Sequence, residues 1–310
     1  MRIMFMGTPE ISATCLRELI GSDNEIIAVV TGKDKPRGRG NVMTPTAVKA
    51  LALEHSLAVY TPDSLKTEEF MALLTELNPD LIAVVAYGKI LPKSVLDFPK
   101  YGCINVHVSL LPKFRGAAPM QRAIIEGETK TGVTIMHMAE GVDTGDIITS
   151  EAFDIGPEDD FEAIHDRSAE VGAKLLVKTI SMIADGTATR TAQDDSLATH
   201  AAKIEKEDCK IDFTRSARVL DCAIRGVTPI PGAFAYLKGK MLKIYKAIPT
   251  DGKGTPGEVI SLDPKGTGSF TVACGEGALK VCGVIPEGKG RMSAGDFVRG
   301  RKIELGDILE

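Results

Sequence analysis

The fold is indicated by the first 31 residues, which read MRIMFMGTPEISATCLRELIGSDNEIIAVVT. Residues 2–6 form a short apolar run of strand length, and apolar residues then recur at helical spacing up to Gly21. Pro9 suits the first turn of that helix because its missing N–H is not needed there. A second apolar run covers residues 26–31, so the stretch predicts a strand–helix–strand unit.

The same alternation continues to about residue 190. The further elements that we predict are helices over 45–54, 65–77 and 159–184 and strands over 81–86 and 103–107. Alternating strands and helices are typical of an open, mainly parallel, Rossmann-like sheet with helices on both faces. Residues 1–189 are therefore predicted to form an α/β domain.

The pattern changes after residue 189. Apolar periodicity fades over 190–206, which we interpret as a linker. A helix is predicted over 212–226, and strands are then predicted over 233–237, 241–247, 257–262, 269–273, 278–285 and 296–299. Short strands at this spacing favour a small, OB-like β-barrel over residues 207–310.

Composition narrows the class of protein. The 310 residues contain 37 Lys and Arg against 42 Asp and Glu, a net charge of −5 that argues weakly against nucleic acid. The six cysteines form no C-x-x-C pair, which is typical of reduced residues in a cytoplasmic protein. No apolar run is long enough to cross a bilayer, and the first residues do not resemble a signal peptide. We expect a cytoplasmic monomer without a membrane partner.

Common cofactor motifs are missing from the predicted carboxyl edge of the sheet. The first strand ends in Gly7-Thr8-Pro9, which is neither G-x-G-x-x-G nor a P-loop. Gly38-Arg39-Gly40 opens no clear helix, and the histidines and cysteines lack zinc-site spacing. Nicotinamide, ATP and metal sites are therefore not supported.

Two polar side chains stand out on the strand over 103–107. Residues two apart share a face of a strand, so Asn105 and His107 point together while isoleucine and valine fill the opposite face. A carboxamide N–H beside an imidazole suits stabilisation of the oxyanion that forms during acyl transfer. From these residues alone, a polar strand end that satisfies its own loop remains an alternative.

A second polar segment, Glu140-Gly-Val-Asp-Thr-Gly-Asp146, follows the apolar run over 132–138. Its two glycines permit unusual backbone angles and close approach of a ligand. Asp143 between them could orient an imidazole or accept a proton. A capped turn that uses Asp143 to bind its own backbone is the alternative interpretation.

These motifs resemble the signature of the 10-formyltetrahydrofolate-dependent formyltransferases. The segments that carry the resemblance are Asn105–His107, Ser109–Pro112, Arg115–Pro119 and Gly141–Asp146. Further segments resemble the branch that acts on methionyl-tRNA: Phe5–Pro9, Asn78–Leu81, Ala86–Pro92, Pro229–Ala233 and Phe297–Gly300. The chain departs from that branch at His200, usually an aromatic residue, and at Ile230, usually tryptophan.

The resemblance implies how the site works. The methionyl amine would attack the formyl carbon, Asn105 and a protonated His107 would stabilise the oxyanion, and Asp143 would hold the imidazole in its charged form. Formyltetrahydrofolate would be the co-substrate, with no metal. The residues that the resemblance assigns to the folate are Ser109, Leu110, Leu111, Pro112, Tyr87, Gly88, Ile90, Leu91, Ala139, Glu140 and Gly141.

The substrate that accepts the formyl group is predicted from the distribution of charge along the chain. Residues 204–310 carry 17 basic and 14 acidic residues, whereas residues 1–203 carry 20 and 28. A basic second domain favours initiator methionyl-tRNA, bound through phosphate contacts. The residues predicted to contact tRNA are Lys33, Lys35, Arg37, Arg39, Lys210, Arg215, Arg218, Arg225, Lys238 and Lys240. A formyltransferase acting on a UDP-amino-sugar and a non-catalytic folate- or RNA-binding module remain alternatives.

Overall fold

The computed structural model describes residues 1–37, 40–266 and 268–310, except for the side chain of Arg37. Arg39 thus lies outside the described residues. The chain folds into two compact units. Unit 1 comprises Met1–Gly116, Thr131–Phe153 and His165–Ala201, and unit 2 comprises Ala117–Lys130, Asp154–Ile164 and Ala202–Glu310.

The strands of the first two-thirds of the chain are mostly short. They are β1 (Arg2–Gly7), β2 (Glu25–Val30), β3 (Lys35–Arg37), β4 (Val42–Thr44), β5 (Val59–Tyr60), β6 (Leu81–Val85), β7 (Cys103–His107), β8 (Arg115–Gly116), β9 (Lys130–His137), β10 (Ile147–Asp154) and β11 (His200–Ala201). Seven of them form one sheet in the order β10-β9-β7-β6-β1-β2-β5. The pairs from β7 to β5 are parallel, and β9 runs antiparallel to β7.

Helices cover both faces of this sheet. They are α1 (Glu10–Ile20), α2 (Ala47–Glu54), α3 (Glu68–Leu77), α4 (Lys93–Leu96) and α6 (Phe161–Ala184). Helix α5 (Pro119–Ile125) belongs to unit 2. Residues of α1, α2 and α6 pack in one buried cluster against alternate positions of the strands. Residues of α3 and α4 pack in a second cluster against the intervening positions. The predicted parallel sheet with helices on both faces is therefore confirmed.

Unit 2 contains an antiparallel sheet. Its elements are α7 (Ala217–Val227), β12 (Ala233–Leu237), β13 (Lys240–Thr250), β14 (Val259–Asp263), β15 (Ser269–Ala273), β16 (Ala278–Pro286), β17 (Met292–Ser293) and α8 (Ala294–Arg299). The strand order is β12-β13-β16-β15-β14, with β17 beside β16. The C-terminal residues hydrogen-bond to Tyr236 on β12 and to Gly257 ahead of β14. The antiparallel β character is as predicted, and closure into a barrel stays a prediction.

One predicted strand is wrong, because residues 296–299 belong to helix α8. Ser293 caps this helix by accepting a hydrogen bond from the backbone N–H of Asp296 at 3.0 Å. The Ser293 hydroxyl also donates to the Asp296 carboxylate at 2.8 Å. This reciprocal pair begins the helix and outweighs the strand-like composition of Phe297 and Val298.

Residues 190–201 are more ordered than a free linker would be. Ile147 and Thr191 exchange backbone hydrogen bonds, and β11 pairs in parallel with β8. The segment groups with unit 1. Our interpretation of residues 190–206 as a linker stays a prediction. The domain limits 1–189 and 207–310 remain a prediction. No helix in the described part of the chain is long and apolar enough to span a membrane.

Candidate active site

Strand β7 places two polar side chains on one face of the sheet, as its alternation predicts. Ile104 and Val106 are buried in the cluster with α1, α2 and α6. Asn105 and His107 point to the other face. The Asn105 carboxamide is partly exposed and makes no hydrogen bond to any residue that the structure describes. Its N–H groups are free to donate to a ligand.

Both ring nitrogens of His107 face hydrogen-bonding groups. Nε2 lies 2.9 Å from the carbonyl oxygen of Phe114, and Nδ1 lies 3.5 Å from Oδ2 of Asp143. A carbonyl oxygen only accepts, so Nε2 carries the hydrogen. In the neutral ring, the lone pair therefore resides on Nδ1, the nitrogen that faces Asp143.

The surroundings of His107 shift the pKa of its imidazole in opposing directions. Its side chain is only 5% exposed, and burial lowers the pKa of the imidazole from its usual value near 6.5. The Asp143 carboxylate and the Phe114 carbonyl act in the opposite direction but do not outweigh the loss of hydration. This direction favours a neutral imidazole near pH 7 in the free protein. A protonated His107 during the reaction stays a prediction.

Asp143 reaches His107 from the loop between β9 and β10. Its Oδ2 accepts a hydrogen bond from the backbone N–H of Gly116 at 2.9 Å. The backbone of Asp143 is in the left-handed region, with φ at +53°. The aspartate itself, and neither Gly141 nor Gly145, thus adopts the unusual backbone angle of this loop.

The two glycines of the loop are needed for close approach instead. A Cβ on Gly145 would lie 1.7 Å from the carbonyl oxygen of His137, and one on Gly141 would lie 2.4 Å from the Thr144 hydroxyl. A clash with backbone cannot be relieved by turning a side chain. Gly145 therefore lets the loop lie directly against the end of β9.

Sequence reasoning missed the residues that support this pair. Gln193 donates to the carbonyl oxygens of Asp143 and Gly145 at 2.9 and 2.7 Å. Thr199 accepts from the N–H of Phe114 at 2.9 Å, and so fixes the residue whose carbonyl binds His107. Both supporting residues lie in the polar segment 190–201, where the sequence carries no periodic signal.

The segment predicted to bind folate after β7 is largely buried. The Ser109 hydroxyl donates to the carbonyl of Lys113 at 2.7 Å, and its own carbonyl accepts from Thr134 at 2.7 Å. Leu111 is buried, whereas Leu110 and Pro112 are partly exposed. Ser109 and Leu111 therefore shape the segment from within, and Leu110 and Pro112 present surface.

The other residues predicted to bind folate divide in the same way. Tyr87 and Leu91 are buried in the cluster with α3 and α4. Burial raises the pKa of the Tyr87 hydroxyl to about 12. The exposed members are Gly88, Ile90, Ala139, Glu140 and Gly141. Ile90 is 83% exposed, which is unusual for an isoleucine and makes it available for contact.

The basic residues predicted for tRNA are mostly at the surface. Lys33 is paired with Asp63, and Lys238 pairs with Asp307 at 2.9 Å. The other exposed ones are Lys35, Lys210, Arg215, Arg218 and Lys240. Arg37 lies on β3 with its side chain undescribed, and Arg39 is among the residues not described.

Arg225 differs from the other basic residues because its guanidinium is ion-paired and hydrogen-bonded to residues of unit 2. It pairs with Asp221 at 2.9 Å and donates to the carbonyl of Asp159 at 2.8 Å. Only 17% of the side chain is exposed. Arg225 is thus less available for a contact with RNA than the exposed basic residues, and its role there stays a prediction.

Among the residues that the structure describes, no three His, Cys, Asp or Glu side chains are grouped so as to hold a metal ion.

His137 provides a testable pH dependence of stability. Burial and the nearby Arg190 lower its pKa to about 4. The unfolded chain, with a pKa near 6.5, therefore binds this proton first as the pH falls. We expect this residue to lower the free energy of unfolding as the pH falls from about 6.5 to 4.

The measurement is urea unfolding at pH 7 and pH 4.5 for the wild type and His137→Gln. The decrease should be smaller in His137→Gln, because glutamine does not titrate. An equal decrease in both proteins would contradict the assignment to His137.

Comparison with known proteins defines the class. Residues 1–180 match the family model described as "Formyl transferase", and residues 203–302 match "Formyl transferase, C-terminal domain". The chain belongs to the formyl transferase family and is an enzyme of one-carbon transfer.

Its relatives define the class more closely. Proteins named methionyl-tRNA formyltransferase from Citrifermentans bemidjiense and Geotalea uraniireducens are 45% and 46% identical to this chain. The matches cover 100% of the chain and 96% and 98% of those proteins.

Solved structures share the fold at lower identity. A sugar 3N-formyl transferase solved with dTDP and 5-N-formyl-THF has a TM-score of 0.67 at 18% identity, covering 94% of this chain and 99% of that one. HypX from Aquifex aeolicus, in complex with tetrahydrofolic acid, has a TM-score of 0.66 at 19% identity, covering 100% of this chain and 50% of that one. At these identities the likeness describes architecture alone.

Proposed function

We propose that the protein transfers the formyl group of 10-formyltetrahydrofolate to the α-amine of initiator methionyl-tRNA. The observation that carries the proposal is the similarity of 45–46%, over the whole chain, to proteins named methionyl-tRNA formyltransferase. The sugar formyl transferase shares the fold at only 18% identity. The geometry at Asn105, His107 and Asp143 supports the chemistry.

The folate donor is supported by two independent lines. The solved relatives noted above were crystallised with 5-N-formyl-THF and with tetrahydrofolic acid. In this chain, Gly88, Ile90 and residues 139–141 form exposed backbone and apolar surface. Pterin rings are flat and rich in donors and acceptors, so exposed loop backbone suits them.

Formyl transfer needs a hydrogen-bond donor that stabilises the oxyanion. As the neutral amine bonds to the formyl carbon, negative charge collects on the formyl oxygen. The Asn105 carboxamide, which lacks a partner among the described residues, donates an N–H to that oxygen. One such donor typically lowers the barrier by about 3 kcal/mol.

The same step releases a proton that His107 accepts. Its Nδ1 carries a lone pair because Nε2 donates to Phe114. The imidazolium that forms lies 3.5 Å from Asp143, whose carboxylate stabilises its positive charge. When the bond between the formyl carbon and N10 of the folate breaks, N10 takes this proton and tetrahydrofolate leaves. The proton count balances.

The acceptor side is supported by charge. Residues 210–246 carry eight basic residues against two acidic ones, Asp212 and Asp221. Lys210, Arg215, Arg218 and Lys240 are exposed there and form the proposed tRNA face, with Lys33 and Lys35 as candidates in unit 1. Contacts with phosphates imply weak dependence on base sequence and steep dependence on salt.

The test compares acceptors at equal concentrations of 10-formyltetrahydrofolate. Methionyl-tRNA should be formylated with kcat/KM at least about 10²-fold above that for a UDP-amino-sugar, because tRNA offers an extended run of phosphates to the basic face and the sugar nucleotide offers a single diphosphate. Raising the salt concentration should weaken the reaction with tRNA, chiefly through KM.

Each outcome discriminates between functions. Preferential formylation of the sugar would replace the tRNA acceptor with a sugar nucleotide. Binding of folate or tRNA without turnover of either acceptor would leave a binding module and overturn the proposed activity.

A further inference from the structure

The side-chain amide of Gln193 makes four hydrogen bonds, two as a donor and two as an acceptor. Its nitrogen donates to the carbonyl oxygens of Asp143 and Gly145, and its oxygen accepts from Nε and Nη2 of Arg115 at 3.0 and 2.8 Å. Carbonyl oxygens only accept and a guanidinium only donates. The orientation of the amide is therefore fixed by its surroundings, and no other arrangement satisfies all four hydrogen bonds.

These bonds act on a loop that needs support. A residue other than glycine in the left-handed region costs about 1 kcal/mol or more, and Asp143 has φ at +53°. Residues 140–142 of the same loop are exposed and receive little packing. Gln193 binds the backbone on both sides of Thr144 and so holds the strained turn.

Arg115 and Gly116 connect the amide to the carboxylate. The N–H of Gly116 donates to Oδ2 of Asp143, while the side chain of the preceding Arg115 holds Gln193. Arg115 also bonds to Asp195 at 2.8 Å, and β8 pairs with β11. Strand β8 thus fixes Asp143 in two ways. Gly116 binds its carboxylate, and Arg115 holds the Gln193 amide that binds its backbone carbonyl.

We propose that Gln193 is a positioning residue, which holds the Asp143 carboxylate against Nδ1 of His107 without itself touching the substrate. The inference rests on the proposed function, since it assumes that Asp143 assists formyl transfer. It assigns a role in the reaction to a residue of the segment 190–201 that sequence reasoning treated as linker.

The experiment uses Gln193→Ala and Gln193→Glu, with Ser196→Ala as the control. Ser196 lies three residues away, and its hydroxyl donates to Asp194 and to no other residue that the structure describes. Glutamate keeps an acceptor for Arg115 but cannot donate to the two loop carbonyls. If positioning of the loop is the role, both Gln193 variants should lose about 10- to 10²-fold in kcat, with KM for the folate changed less than about twofold.

A second readout needs no substrate. The pKa of His107 is followed by NMR of the imidazole in the free protein. Asp143 is the charged group, among those described, that raises this pKa, so a displaced carboxylate should lower it further. A change confined to fold stability would reduce the folded fraction and leave the pKa of the folded protein unchanged.

The outcomes separate the two proposals. Wild-type activity in Gln193→Glu, or an unchanged pKa of His107 in both variants, overturns the positioning role. Failure of the wild type to formylate methionyl-tRNA overturns the proposed function, while the NMR titration still reports whether Gln193 holds Asp143.

Discussion

Replacement of His107 by alanine is expected to lower kcat for formylation of methionyl-tRNA by about 10²- to 10⁴-fold. The variant loses the Nδ1 lone pair that accepts the proton from the amine. KM for the folate should change little, because His107 acts on the reacting atoms. Single-turnover formylation measures the chemical step directly.

Two further variants make this result interpretable. His107→Gln retains a donor for the carbonyl of Phe114 and should fold, yet it should be as inactive as alanine. His55→Ala removes an exposed imidazole from the same unit and should retain full activity. Near-wild-type turnover in His107→Gln would show that hydrogen bonding to Phe114, and not proton transfer, is what His107 contributes.

The fold of unit 1 could be predicted from the sequence because the patterns that define its strands and helices involve residues close together in the chain. Ile104 and Val106 alternate with Asn105 and His107, and a period of two assigns the pairs to opposite faces whatever the rest of the chain does. The buried cluster with α1, α2 and α6 confirms that assignment. Residues 296–299 show the limit, because four residues carry too little periodicity to outweigh the cap at Ser293.

The candidate site was harder to predict from the sequence, because the residues that contact one another there lie far apart in the chain. Asp143 lies 36 positions after His107, and spacing alone does not bring them together; a family resemblance suggested the pair. Gln193 has no motif, no apolar period and no spacing that marks it. Its role arises only from the hydrogen bonds that the fold places around it.

The protonation state of His107 is also a property of the fold. The family resemblance implies a charged ring that Asp143 holds in place. Only the folded protein shows that His107 is 5% exposed, and at that burial the lost hydration outweighs one carboxylate at 3.5 Å. A neutral resting imidazole suits the role of proton acceptor better than the charged form does.

Asp143→Asn should lower kcat by about 10²-fold while leaving the loop in place. The amide oxygen of asparagine can still accept from Gly116, so the change removes charge and retains shape. Without the carboxylate, the imidazolium formed during the reaction loses its stabilising partner, and the pKa of His107 falls further.

The sign of the pH effect distinguishes this role from a structural one. His107 must be neutral to accept the proton, so kcat/KM declines at acid pH, below the usual histidine pKa near 6.5. In Asp143→Asn the maximal rate is lower, but the acid decline should begin at a lower pH than in the wild type. Asp146→Asn removes a carboxylate from the same loop and should leave the acid limb unmoved. If kcat/KM of Asp143→Asn declined at the same acid pH as that of the wild type, the Asp143 carboxylate would not act on His107. The proposed role of Asp143 in stabilising the imidazolium would then be wrong.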